Sequence, residues 1–155
     1  MLADGFPKAD LCNCLALRQA ARHVTQLYDQ FLAPTGVRAS QFGILAKLRR
    51  KGPMTINALA RDLVLDRTTL GRNILPLERE GLIDIRKGQT DRRSKELHLT
   101  ERGRERLRAA AQGWVKAQEQ FEATFGGERS TELRTMLRQI AAQDFGVDAN
   151  ADVDL

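Results

Sequence analysis

The sequence is poor in the residues that build most catalytic and cross-linked proteins. It holds two cysteines, two histidines, one tryptophan and one tyrosine among 155 residues. Two cysteines do not make a disulfide framework. Cys12 and Cys14 stand two apart, which on a regular helix points them ~200° from each other and forbids a bridge. The cysteines and histidines are not clustered at ligand spacing, so no metal site is expected. There is no glycine loop to cradle phosphate and no pair of carboxylates in an apolar setting. No catalytic residue and no cofactor is therefore expected. No apolar run approaches the ~20 residues needed to span a bilayer, and Met1 to Lys8 lacks a secretory apolar region. The expectation is a cytoplasmic protein that does not engage a membrane. No internal repeat is visible.

What is present is charge, unevenly placed. The chain carries a net charge of +5, but residues 38–108 carry +9 and the remainder −4. Basic surfaces are common and most are merely solvated. Concentration on one segment favours a polyanion partner.

The apolar spacing predicts a mainly helical chain. Residues 1–9 read as a tail. A long helix is expected from Asp10, as N-cap, to Leu32, closed by Ala33-Pro34-Thr35-Gly36. A second runs from Ser40 to Arg50 with Phe42, Leu45 and Leu48 inward, and Lys51-Gly52-Pro53 stops it. Thr55 caps a third, with Leu59 and Leu63 facing the core. A fourth spans Asp66 to Glu80, with Leu70, Ile74 and Leu77 buried and Gly81 as its stop. Pro76 lies inside it and should bend or fray it, since an interior proline costs about 3 kcal/mol. Leu82 to Lys87 and Lys95 to Leu99 alternate as two strands around Gly88-Gln-Thr-Asp-Arg-Arg-Ser. Thr100 caps a fifth helix reaching Phe125, with Leu107, Trp114 and Phe121 along one face. After Gly126-Gly127, Ser130 is expected to cap a sixth, with Leu133, Leu137 and Ile140 inward. Residues 146–155 read as an acidic, solvated tail.

Helix, turn, helix and basic-tipped hairpin suit the two grooves of duplex DNA. Removing the buried stripe from the fourth helix leaves Arg67, Thr68, Thr69, Arg72 and Asn73 as readers. Arg pairs bidentately with guanine, Asn with adenine, and a Thr methyl meets thymine. Thr55 offers hydroxyl and backbone N–H groups to a phosphate, or serves as a plain cap. Arg92 and Arg93 suit a minor groove. Asp91, repelled by phosphate, is expected to hold a neighbouring Arg, while Arg86 and Lys87 approach the backbone.

The terminal helices exceed what a minimal winged helix needs. Leu11, Leu133, Leu137 and Ile140 are expected at a two-fold interface, although such stripes can also enlarge one monomeric core. The fold expected is thus mainly α with a small β-hairpin wing. Residues 37–100 form the winged helix-turn-helix DNA-binding lobe, and residues 10–36 and 101–145 a helical dimerisation region. A winged helix used only for protein contacts is the competing reading, and it leaves the wing arginines without a purpose.

The run Asp91-Arg-Arg-Ser-Lys-Glu-Leu-His-Leu-Thr-Glu-Arg-Gly103 resembles the wing of the multiple-antibiotic-resistance regulator (MarR) family, in its Asp-x-Arg and Leu-x-Leu-Thr-x-x-Gly pattern. Leu77-Glu-Arg-Glu-Gly-Leu-Ile83 resembles the end of the family's recognition helix, and Ser40-Gln-Phe42 the start of its second helix. The resemblance covers roughly residues 12–145. It implies a homodimer on a palindromic double-stranded DNA operator, usually a repressor, with Asp91 and Arg93 as the wing's paired acid and groove-inserting Arg. It also implies release by a signal. One branch binds small phenolic or anionic effectors between dimer helices and DNA lobe, where Arg18, His23 and Trp114 are candidates for the cleft. Another resembles organic-hydroperoxide repressors. There Cys14 matches the sensing thiol and Tyr28 a tyrosine that meets it from the partner subunit. A second expected tyrosine is replaced by Arg18. Cys14 also lies on the apolar stripe, where a small core residue would do.

Overall fold

A computed structural model describes residues 8–88 and 93–146. Asp91, Arg92, most of the N-terminal tail and most of the acidic tail lie outside the described residues. Among these residues, six α-helices and a three-stranded antiparallel sheet follow the order α1 (Asn13–Leu32), α2 (Ala39–Lys51), β1 (Met54–Thr55), α3 (Ile56–Leu63), α4 (Arg67–Arg79), β2 (Ile83–Lys87), β3 (Lys95–Leu99), α5 (Glu101–Phe125) and α6 (Gly127–Ala142).

The sheet order is β1-β3-β2. Met54 stands opposite Leu97 in β1–β3, and Ile85 opposite Leu97 in β2–β3. Side chains alternate across a strand. Ile83, Ile85, Leu97, Leu99 and Met54 therefore share the inner face, and Asp84, Arg86, Glu96, His98 and Thr55 the outer one. The inner face closes on Ile44, Leu45 and Leu48 of α2, Leu59 and Ala60 of α3, and Leu70, Ile74 and Leu77 of α4. These helical residues recur at three and four, so each helix presents one apolar stripe. Burying each large side chain contributes roughly 1.5–3 kcal/mol. Leu107 of α5 joins this core, so the first turns of α5 belong to the lobe.

Local chemistry sets the ends. Thr55 Oγ1 accepts from Ala58 N, Asp66 Oδ1 from Thr69 N, and Thr100 Oγ1 from Gly103 N. Each satisfies a first-turn donor that has no partner within its helix. Gly36 and Gly81 take the left-handed backbone (φ of 70° each) that closes the preceding helical turn.

Several expectations need correction. Asp10 does not cap α1. It lies in a short 3-10 turn, and Cys12, with extended backbone, is the N-cap whose Sγ accepts from Leu15 N at 3.4 Å. Cys12 therefore stands outside the helix, and the helical geometry that separated it from Cys14 does not hold. Pro76 does not fray α4, which runs on to Arg79. Its missing N–H leaves the Arg72 carbonyl without that bond, but the turn continues past it, with Glu80 N donating to Pro76 O at 3.0 Å. Ser130 does not start α6. The helix begins at Gly127, and Ser130 is buried with its Oγ donating to Gly126 O at 2.7 Å. Leu137 and Ile140 do not point inward, being about two-fifths exposed (40% and 43%), and Leu133 is half-buried. Leu63 is half-buried and packs against the core as expected, with Ala60 buried beside it. The short strand β1 was not anticipated.

Candidate DNA interface and effector cavity

The helix-turn-helix is α3, a turn through Val64, and α4. Val64 takes a left-handed backbone (φ of 52°) and Asp66 ends the turn. Arg67, Thr68 and Arg72 are exposed on α4, away from the stripe of Leu70, Ile74 and Leu77. Their position near the positive end of the helix suits an anionic partner. Thr69 and Asn73 are partly committed within the chain. Thr69 Oγ1 donates to Asp66 Oδ2 at 2.6 Å. The Thr69 hydrogen bonds hold the Asp66 carboxyl below its ordinary pKa, the side-chain bond most of all. Asn73 Nδ2 donates to Thr69 O, and its Oδ1 accepts from Ser40 Oγ at 2.8 Å. Bidentate reading of adenine by Asn73 requires those bonds to be shared or released. Thr55 is the half-buried cap of α3 and stands opposite Glu96 on β3.

In the wing, Gly88 N donates to Ser94 O at 2.9 Å and closes the hairpin. Arg93 is exposed just beyond the undescribed tip. Arg86 Nη2 donates to Asp84 Oδ2 at 2.8 Å, so Asp84 positions that guanidinium. Lys87 stands directly opposite Lys95, and both are exposed. Like charges facing across a ladder are unfavourable, and a phosphate between them relieves the repulsion. The strand register reveals Lys95, which composition alone did not single out. His98 Nε2 lies 3.4 Å from Glu96 Oε2, with both side chains largely covered.

A cavity of about 370 Å³ is lined by Tyr28 and Leu32 of α1, Ala39, Phe42, Gly43, Ala46, Lys47 and Arg50 of α2, and Trp114 of α5. The Phe42 and Trp114 rings stack with planes 10° apart and centroids 6.1 Å apart. Lys47 Nζ reaches out of this wall to Asp62 Oδ2 on α3, at 2.6 Å, and Lys51 Nζ takes Oδ1 at 2.6 Å. The two lysines hold the Asp62 carboxyl at a pKa of about 2. Tyr28 donates to Gln118 Oε1, Gln118 to Glu122, and Arg134 of α6 to Glu122 at 3.0 Å. Burial pushes the Tyr28 hydroxyl up, helped by Glu122 and opposed by Arg134. The hydrogen bond from Gln118, then that from Arg134, pulls Glu122 down.

Arg18, His23 and Trp114 do not converge on one cleft. His23 lines a separate groove between α1 and α5 with Phe121 and Phe125, Trp114 lines the cavity above, and Arg18 lines neither. Arg18 and His23 stand five residues apart on α1, about 140° around the helix, so they face different sides. Cys14 is exposed, and so is Cys12. Cys14 and Tyr28 are fourteen residues apart on α1, roughly 21 Å at the helical rise, so they do not meet within one subunit.

Residues 37–95 match the sequence profile of the MarR family. The crystal structure of the Mycobacterium tuberculosis transcriptional regulator MosR in complex with DNA is 33% identical. It overlays with a TM-score of 0.75 over 84% of this chain and 93% of that one. This chain belongs to the MarR family. Among curated relatives, the uncharacterised HTH-type regulator YwoH of Bacillus subtilis is 28% identical over 127 residues, covering 82% of this chain and 92% of YwoH. The organic hydroperoxide resistance transcriptional regulator of the same species is 29% identical over 90 residues, covering 58% of this chain and 61% of that one.

As a MarR protein the chain is a DNA-binding transcriptional regulator with a winged helix-turn-helix fold. Lys47, Asp62 and Lys95 escaped the sequence reading. The i, i+4 spacing of Lys47 and Lys51 marks a shared helix face, but their acid is eleven residues past Lys51 and becomes visible only when α3 folds back on α2.

Proposed function

We propose that this MarR protein is a homodimeric repressor that grips a palindromic operator and lets go when a small aromatic anion enters the cavity between α1, α2 and α5. The observation that carries the reading is the composition of that cavity. Two stacked rings and Tyr28 line it together with the cationic residues Lys47 and Arg50. Apolar walls with a few convergent polar groups are the usual make-up of a small-molecule site.

Dimerisation through residues 10–36 and 101–145 is supported by apolar surface that one subunit leaves uncovered. Leu11 is 74% exposed, Met136 53% and Ile140 43%. Leu133 and Leu137 line a groove between α1, α5 and α6. Two copies of α4 then address two half-sites one helical turn apart. In each lobe Arg67, Thr68 and Arg72 face base edges, and Arg86, Lys87, Arg93 and Lys95 face the backbone and minor groove. Asp91 and Arg92, expected to act with them, lie outside the described residues.

A second reading is favoured by the thiols. Cys14 is exposed in the first turn of α1, and Cys12 precedes it outside the helix. An exposed thiol beside a second cysteine is a common arrangement for oxidation sensing. In this reading peroxide oxidises Cys14 and releases the operator.

Sequencing the duplexes that the purified protein retains from a random library, with and without benzoate and cumene hydroperoxide, tests both. A palindrome retained alone and lost with benzoate supports the cavity reading. One lost only with peroxide, and kept by Cys14→Ser, supports the thiol. Retention that neither agent changes contradicts both.

A further inference from the structure

Lys47 belongs to two arrangements at once. Its side chain lines the cavity beside Tyr28, Phe42, Arg50 and Trp114. Its ammonium lies 2.6 Å from Asp62 on α3, and Lys51 takes the other carboxylate oxygen. The acid that fastens α3 to α2 thus draws one of its two cations from the cavity wall. Building on the reading of this cavity as the effector site, we infer that Lys47 is the element that transmits occupancy to the DNA-binding helices. An aromatic carboxylate in the cavity draws Lys47 away from Asp62, whose carboxylate then keeps Lys51 as its one cation while the apolar core between α2 and α3 remains.

The chemistry favours such a transfer. A lysine ammonium is a compact charge with three donors on a flexible stem, so it changes partners by rotamer rotation. Arg50 on the same wall gives the incoming carboxylate a second cation. The Asp62 side chain is only 22% exposed. Water therefore compensates incompletely for the lost partner, and part of the attraction seating α3 disappears. α3 carries the turn that sets the start of α4, and its cap Thr55 sits in register with Glu96 of the wing. Loosening α3 therefore disturbs both readers together. Because binding couplings are reciprocal, DNA that needs α3 seated opposes the anion by the same factor.

The test uses the full-length protein on a labelled operator, with benzoate and its neutral isostere benzamide as probes. Trp114 is the sole tryptophan, so its emission reports occupancy independently of DNA anisotropy. Benzoate is expected to perturb Trp114 and to weaken DNA binding by at least about fivefold, the lower end of typical couplings. Benzamide is expected to perturb Trp114 while leaving DNA affinity within about twofold. In Asp62→Asn the contest for Lys47 is gone. Benzoate should then bind several-fold more tightly than to the parent but change DNA affinity by less than about twofold.

Parent-like benzoate affinity and parent-like release in a folded Asp62→Asn protein overturns the inference and leaves the effector site standing. Equal release by benzamide and benzoate overturns it on the parent alone, even if the variant does not fold. If benzoate leaves Trp114 unperturbed in the parent, the effector-site reading falls and the transfer falls with it.

Discussion

A Cβ placed on Gly103 would lie 2.1 Å from the carbonyl oxygen of Leu82. The first turn of α5 therefore rests directly on the backbone that leads into the wing. Thr100 secures the contact, its Oγ1 donating to Gly81 O at 2.7 Å while accepting from Gly103 N. Gly103→Ala cannot be accommodated by a side-chain shift, because the obstacle is backbone. We expect a loss of about 3 kcal/mol, the upper end of overpacking costs, seen as a fall in Tm of roughly 6–12 °C for a domain of this size. A thermal melt with parent-like Tm contradicts the close approach.

The long first helix meets α5 in the same way. A Cβ on Gly113 would lie 2.4 Å from Phe31 O. Gly113→Ala should push α1 away from α5 beside the cavity, because Phe31 neighbours Leu32 and Trp114 neighbours Gly113. The expected result is a shift in Trp114 emission together with a loss of about 2 kcal/mol in urea unfolding.

The Asp62 ion pairs make a definite pH signature. Its folded pKa is depressed to about 2 from an ordinary 3.8. A depressed carboxyl contributes stability that is fully present above the unfolded value and is lost as pH falls through the folded one. The stability gap between the parent and Asp62→Asn should therefore be constant above about pH 5, narrow between about pH 4 and 2, and vanish below that. Denaturant midpoints across this range measure it. A gap that persists unchanged at pH 2 contradicts the assignment.

The sixth helix gives a prediction about assembly. Leu137 and Ile140 are exposed within one subunit, so the double substitution Leu137→Asp, Ile140→Asp should leave the subunit fold intact by circular dichroism. It should yield monomers in sedimentation and lower operator affinity at least about 100-fold, by loss of the linked second half-site. A variant that stays dimeric places the interface elsewhere.

Much of this was legible in the sequence because it is local. Thr55, Asp66 and Thr100 announce helix starts through short polar side chains, and Gly81 marks a stop, whereas the close contact at Gly103 shows only once α5 rests on Leu82. The alternation of Leu82 to Lys87 and of Lys95 to Leu99 gives the wing directly. Other features depend on chain pairing that no window contains. The two residues of β1 become a strand only because β3 runs beside them. Ser130 has the chemistry of a cap, yet α6 starts three residues earlier and turns its hydroxyl back to Gly126. Cys12 caps α1 although thiols seldom serve there. The stripe of Leu133, Leu137 and Ile140 declares an apolar face without saying whether this subunit or another covers it. The Lys47–Asp62 pair needs α3 folded onto α2 before it can be seen.

The wing residue most open to a direct test is Arg93, exposed beside the hairpin tip. Anisotropy of a labelled palindrome, selected by the protein itself, should be titrated at several salt concentrations for the parent and Arg93→Ala. Two subunits per duplex are expected, with affinity in the variant at least about tenfold weaker and a salt slope lower by about one. Parent-like affinity and slope in the variant, or a monomeric parent that ignores every duplex even at low salt, would contradict reading of DNA by a paired helix and wing.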